Sequence, residues 1–232
     1  MGNPCFHFKR FDVYHDRCAM KVGTDGVLLG AWADVLHAGR ILDVGTGSGL
    51  IALMVAQRTE KASIDALEID PEGAGQAKEN FTKSPWPDRL NLVQADAVTW
   101  QAAPYDLIVS NPPFYRNALK APSHRRKLAR HDDTLTWEQL AKLASRLLTK
   151  GGKLAVVLPA EADQLFDAIC WDETLYLVRR CDVSTRPGQP PKRLLLEFST
   201  EKTPMQRSAL TIETDDHIYT DDYSFLTADF YL

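Results

Sequence analysis

The run from Arg40 to Ala56 constrains this chain most. An apolar stretch, Arg40-Ile-Leu-Asp-Val44, reads as a strand and ends in Gly45-Thr-Gly-Ser-Gly49. Leu50-Ile-Ala-Leu-Met-Val-Ala56 follows at once and reads as the start of an apolar helix. Strand, glycine turn and helix together let a backbone approach a ligand closely. The glycines supply the turn's dihedrals and leave no Cβ in the way, and helix-terminal N–H groups face outward. The turn by itself is weak evidence for any one ligand. Its Gly-x-Gly-x-Gly spacing is shorter than the Gly-x-Gly-x-x-Gly of nicotinamide binding.

Similar units repeat along the chain. Ser63 to Ile69 is a second strand, with Pro71 as first helical residue and Asp70 as its cap. Asn91 to Ala95, Tyr105 to Ser110 and Lys153 to Leu158 are further strands. Thr136 to Leu148 is a helix with a Thr136/Gln139 capping box, a buried stripe of Leu140, Leu143, Ala144 and Leu147, and a stop at Gly151. Tyr176 to Val183 and Arg193 to Phe198 bring the strands to seven. Strand–helix alternation implies an α/β fold: a mostly parallel sheet with helices on both faces. Before it, Phe6 to Val13 reads as a strand with a bend or bulge. Thr24 or Asp25 caps a helix running to Trp32. A single domain is expected, with residues 1–39 as an N-terminal flap, 40–199 as the core and 200–232 as a C-terminal extension. The extension holds a possible short strand from Leu210 and an amphipathic segment near Phe225 to Leu232.

In such sheets ligands sit beyond the C-terminal ends of the strands. The glycine turn, Glu68, Asp96 and Asn111 all fall there. Asn111-Pro112-Pro113-Phe114 is the most specific of these features. Two prolines stop the strand and leave nearby carbonyls without a ladder partner. Asn111 adds a side-chain acceptor and Phe114 an aromatic face. Two acceptors beside a ring suit a flat group bearing an amine, such as a nucleobase.

Composition removes several classes. Of 232 residues, 44% are hydrophobic and 25% charged, as in ordinary soluble proteins. The net charge of −4 provides no global attraction to a polyanion, so nucleic-acid binding needs a local basic patch. Cys5, Cys18, Cys170 and Cys181 are far apart, which favours a reducing compartment, no metal and no disulfide framework. No run reaches membrane-span length and no signal pattern opens the chain, so a cytoplasmic protein is expected. A monomer is the expectation for its assembly, though no sequence feature sets it.

Asp43-Val-Gly-Thr-Gly-Ser-Gly49, Glu68, Asp96 and Asn111-Pro-Pro-Phe114, in this order, resemble the Rossmann-like class I S-adenosylmethionine-dependent methyltransferases. The flanks His15 to Trp32 and Ser84-Pro-Trp86 are similar to the bacterial tRNA(Val) adenine-N6 methyltransferases, which act just 3′ of the anticodon, at position 37. The resemblance implies S-adenosylmethionine as cofactor. Gly45, Gly47 and Gly49 would admit its methionine part, and Asp43 would help hold that end. Glu68 would bind the ribose and Asp96 the adenine amino group. Thr24 and Asp25 would close over the cofactor. Asn111 and the Pro112 carbonyl would grip the amine to be methylated, and Phe114 would stack on its ring. The family often has Tyr where Phe114 stands; stacking survives that change, a phenol role does not.

Arg116, Lys120, Arg125, Arg126, Lys127 and Arg130 follow the Asn-Pro-Pro-Phe stretch and form the candidate contact with a tRNA anticodon loop. Lys9, Arg10, Arg17 and Lys21 form a second basic cluster. His124 and His131 read as bystanders, and His15-Asp16 as a pair that orients the flap. Other acceptors share the motif: ribosomal guanine N2, DNA adenine N6 and protein glutamine. A cofactor-binding RNA chaperone without turnover is the reading from a different class.

Overall fold

The computed structural model describes residues 3–113 and 135–232. Phe114, His124, His131 and the six basic residues from Arg116 to Arg130 lie outside the described residues.

In chain order the strands are β1 (Cys5–His7), β2 (Asp12–Tyr14), β3 (Arg40–Val44), β4 (Ser63–Glu68), β5 (Leu90–Gln94), β6 (Tyr105–Ser110), β7 (Leu148–Pro159), β8 (Tyr176–Ser184), β9 (Arg193–Ser199) and β10 (Gln206–Thr211). The α-helices are α1 (Thr24–Trp32), α2 (Leu50–Arg58), α3 (Pro71–Lys83), α4 (Trp137–Leu147), α5 (Asp163–Asp172) and α6 (Asp221–Thr227). Eight strands form one sheet in the order β10-β8-β9-β7-β6-β3-β4-β5. β9 alone runs antiparallel to its neighbours. The sheet is thus Rossmann-like and mostly parallel, with one strand more than the seven expected. The extra strand is β10, which pairs with β8 from Gln206 onward.

Successive side chains on a strand point to opposite faces. On β7, Ala155 and Val157 join one core with α1, α2 and the C-terminal Tyr223 and Phe230. Leu154, Val156 and Leu158 join the other with α4 and α5. Burying each such aliphatic side chain contributes about 1.5–3 kcal/mol, so both faces are covered and the strand ends are fixed relative to one another.

Local chemistry sets most boundaries. Asp70 caps α3 by accepting from the Gly73 amide at 2.8 Å, with Pro71 inside the first turn. Thr136 and Gln139 form the reciprocal capping box of α4. That helix ends at Leu147, before Gly151. β7 begins at once, and Gly151, at φ +75°, sits in the irregular stretch where β7 gains residues against β6. The cap of α1 is Gly23 rather than Thr24 or Asp25, and no side chain bonds there. Gly26 and Gly30 on α1 face Leu50 and Met54 of α2; a Cβ at Gly30 would lie 2.7 Å from the Met54 sulfur. These glycines let the two helices touch, which seats the start of α1 beside the glycine turn.

The N-terminal segment is a hairpin, not one bent strand. His7 pairs with Asp12, and residues 8–11 turn between β1 and β2. The hairpin packs beside α3 and the chain's end. Tyr14 N donates to Asn80 at 3.1 Å, and Lys9 donates to the carbonyls of Phe230 and Ala228. Residues after it, Cys18 to Lys21, reach the cleft at the C-terminal edge of the parallel strands. His15 is buried; Nε2 lies 3.0 Å from the Asn3 carbonyl and Nδ1 accepts from Val22 N at 3.3 Å, so it ties both ends of this segment.

Candidate active site

A cleft of about 760 Å³ follows the C-terminal edge of the parallel strands. Its walls include Gly45 to Ser48 after β3, Glu68 to Asp70 after β4, and Ser110 to Pro113 after β6. The expected acceptor rim and the glycine turn therefore share one space. A smaller cavity of about 160 Å³ adjoins it through Val44, Gly45, Glu68, Ile69 and Leu135, and Asp96 lines its wall.

The turn is braced from the next strand. Gly45 N and Thr46 N both donate to the Leu67 carbonyl, at 3.0 and 2.9 Å, and Gly47 N donates to Glu68 Oε2 at 2.8 Å. These three amides are spent on β4, so the turn offers a ligand shape more than donors. Gly45, Gly47 and Gly49 hold φ of +71°, +54° and +83°, where L side chains are strained. A Cβ on Gly45 or Gly47 would meet nothing within 4 Å, whereas one on Gly49 would collide with the Phe81 ring. The first two glycines open onto the cleft. The third makes room for α3.

Asp43 lies behind the turn, 1% exposed, and does not line the cleft. Its Oδ2 accepts from Thr46 Oγ1 at 2.6 Å and from Ala52 N at 3.1 Å. Burial pushes its carboxyl up to about 7 despite those two bonds. It holds the turn to α2 and bears on the cleft only through the backbone.

Asn111 stands at the end of β6. The preceding Ser110 is fully buried and its hydroxyl donates to the Val44 carbonyl at 2.9 Å, joining the ends of β6 and β3. Asn111 Oδ1 is buried and accepts no hydrogen bond from the described residues. An unpaired buried acceptor costs about 1–3 kcal/mol unless a ligand donates to it. Two prolines fix the backbone beside it and bar the strand from continuing.

Thr24 and Asp25 do reach the cleft. Asp25 is already paired: Arg193 Nε donates to its two oxygens at 3.0 and 2.9 Å. Cys18 also lines the wall. Burial, with Glu68 and Asp70 nearby, raises its thiol to about 11, so it stays protonated and neutral. Of the second basic cluster, only Lys21 lines the cleft. Arg17 pairs with Glu79, and Arg10 lies over the Trp86 ring.

Residues 21–165 match the family of methyltransferase small domains. A relative from Bacteroides thetaiotaomicron, named tRNA1(Val) (adenine(37)-N6)-methyltransferase, is 47% identical over 234 residues, which cover 100% of this chain and 99% of its own. A Trichodesmium erythraeum relative of the same name is 48% identical, with the same coverage. The chain belongs to this methyltransferase family.

The fold agrees. The crystal structure of a predicted O-methyltransferase from Agrobacterium tumefaciens superposes with a TM-score of 0.71 at 21% identity, covering 89% of this chain and 96% of that one. The N-methyltransferase NodS from Bradyrhizobium japonicum, in complex with S-adenosyl-L-homocysteine, gives 0.54 at 17% identity, covering 75% and 84%.

For a member of this family, part of the cleft was invisible in the sequence. Thr185, Lys192, Arg193, Ile212, Glu213, Tyr219 and Tyr223 line its far half. β9 is antiparallel, so it presents its first residue, Arg193, where parallel strands present their last. No sequence signal marked the reversal of β9. The tail after β10 had none either, because nothing local says where it folds back.

Proposed function

We propose that this chain transfers a methyl group from S-adenosylmethionine to N6 of an adenine in tRNA, the adenine 3′ of the anticodon, at position 37 of tRNA(Val). It would do so in the cytoplasm. The observation that carries the reading is the buried Asn111 Oδ1, without a partner among the described residues, on the wall it shares with the glycine turn.

The residues present fit the cofactor. Open space above Gly45 and Gly47 is a cradle that any Cβ would fill. Glu68 faces both cavities, and each of its oxygens keeps acceptor capacity beyond the one amide bond it accepts; it would hold the ribose. Asp96, in the small cavity among Val44, Ile69 and Ala97, would take the adenine amino group. Thr24 and Asp25 would border the methionine end. When bound, the cofactor supplies a methyl on a positively charged sulfur, which is the electrophile.

The protein's own work is orientation. An exocyclic adenine amine is a poor nucleophile because its lone pair is delocalised into the ring. Asn111 Oδ1 and the Pro112 carbonyl would accept its two hydrogens and turn the lone pair toward the methyl. Phe114 would hold the ring by stacking. Asn111 is neutral and cannot take the proton, which leaves to water after transfer. A base in an anticodon loop is unpaired, so drawing it out of its stack is cheap. Lys21 and Lys192, exposed on the cleft, would add to the basic run after Phe114 in meeting phosphates.

The test is methyl transfer from isotopically labelled cofactor to bulk tRNA, followed by nucleoside analysis. Labelled N6-methyladenosine is expected. Label in N2-methylguanosine, or in protein, would replace the acceptor; no transfer to any substrate would overturn the enzyme reading.

A further inference from the structure

We propose that Tyr219 is a stacking platform for a second, unpaired base of the same RNA. This rests on the reading of the cleft given above. The cleft is not confined to the glycine turn and Asn111. Past Asn111 it continues over the ends of β9, β8 and β10, where Tyr219 stands on its wall.

Tyr219 is 53% exposed although it sits in an aromatic cluster. Its ring lies 4.8 Å from that of Tyr223 and runs nearly parallel, at 11°, to Tyr231 at 6.5 Å. Tyr223 is buried, and its hydroxyl lies 3.3 Å from that of Tyr231. One side of Tyr219 is thus supported and the rest is open. The backbone is also fixed. Residues 213 and 219 bridge, Thr214 N donates to Ile218 O at 2.7 Å, and Thr220 N donates to Ile212 O at 3.0 Å. A rigid, half-open ring beside a nucleic-acid site is the arrangement that binds a base without reading its identity.

Charge decides what the loop contacts. Asp215, Asp216, Asp221 and Asp222 surround Tyr219 in sequence, are exposed, and do not line the cleft. Four carboxylates repel a phosphate backbone, so the loop engages a base and not a phosphate. Lys192 and Lys21 line the cleft itself and put the positive charge that meets phosphates there, not on the loop.

The experiment uses the full chain and anticodon-loop hairpin RNAs that carry 2-aminopurine at each loop position in turn. One position should lose fluorescence on binding the wild type. Tyr219→Phe should keep that quench. Tyr219→Ala should abolish it and raise KM for the hairpin by about tenfold, with kcat and cofactor affinity unchanged. No quench at any position, a quench that survives Tyr219→Ala, or a loss of cofactor affinity would overturn the inference. If Tyr219→Ala does not fold, an abasic site at the quenched position replaces it: the wild type should then show the same rise in KM, and an unchanged KM counts against the platform. If wild type methylates adenine but no loop base senses Tyr219, this inference alone fails. If wild type methylates no adenine, the reading of the active site fails first.

Discussion

The Glu68 carboxylate accepts from the Gly47 amide at 2.8 Å, so the end of β4 holds the turn that follows β3. Its second oxygen accepts from Asp70 N at 3.0 Å and so also steadies the start of α3. One side chain thereby shapes the turn and lines the cleft. The sequence presented the two residues as separate signals, 21 positions apart.

Removing that carboxylate should injure cofactor binding directly. Glu68→Ala is expected to weaken affinity about ten- to a hundredfold, the worth of one or two charged hydrogen bonds. Glu68→Gln, which keeps one acceptor, should lose less. Isothermal titration with the cofactor measures both; an unchanged Kd in Glu68→Ala would remove Glu68 from the site.

Asn111→Ala should separate chemistry from cofactor binding. Turnover is expected to fall about a hundredfold or more, by analogy with loss of one preorganised polar group. Cofactor affinity should stay near wild type. Single-turnover rates beside titration decide the matter, and equal loss of both would reject the amine-gripping role.

The glycines of the turn should divide into two kinds. At Gly49 an added Cβ meets the Phe81 ring on a backbone at φ +83°, so Gly49→Ala should cost about 2–4 kcal/mol of stability. At Gly45 the Cβ would project into open space, so Gly45→Ala should cost only about 1–2 kcal/mol while weakening the cofactor more. Denaturant unfolding and titration on both variants read the contrast; the reverse ranking would mean the cleft side of the turn is wrongly assigned.

Asp43 gives a pH signature. Its folded-state value of about 7 lies above that of an unfolded carboxyl, because burial disfavours the charge. The native state therefore holds the proton more tightly. The stability this contributes is complete below about pH 4 and is lost as pH rises toward 7. Asp43→Asn keeps a neutral acceptor for Thr46 and Ala52. Its melting temperature relative to wild type should therefore climb between pH 5 and 8. A flat difference across that range would show that the carboxyl is not strained by burial.

Local signals announced themselves in the chain. The Thr136/Gln139 box, the Asp70-Pro71 start and the Gly45 turn each depend on residues within a few positions, so their chemistry is written side by side. The slip at Phe8 to Phe11 was legible as an irregularity but not as a hairpin, since an antiparallel partner only five residues away leaves the same alternation. Gly151 looked like a helix stop, yet β7 had begun before it, because pairing with β6 overrides what one glycine prefers.

By itself the sequence determined the α/β alternation, the parallel core and the polar residues at its strand ends, for these follow from period and turn chemistry. Tertiary structure alone decided that Asp43 and Gly49 stand behind the turn while Gly45 and Gly47 open onto the cleft. It also brought Arg193 to Asp25, 168 positions away, and carried Tyr219 to the cleft's far wall. Such pairings depend on the order and direction in which strands assemble, and no short window of residues contains that order.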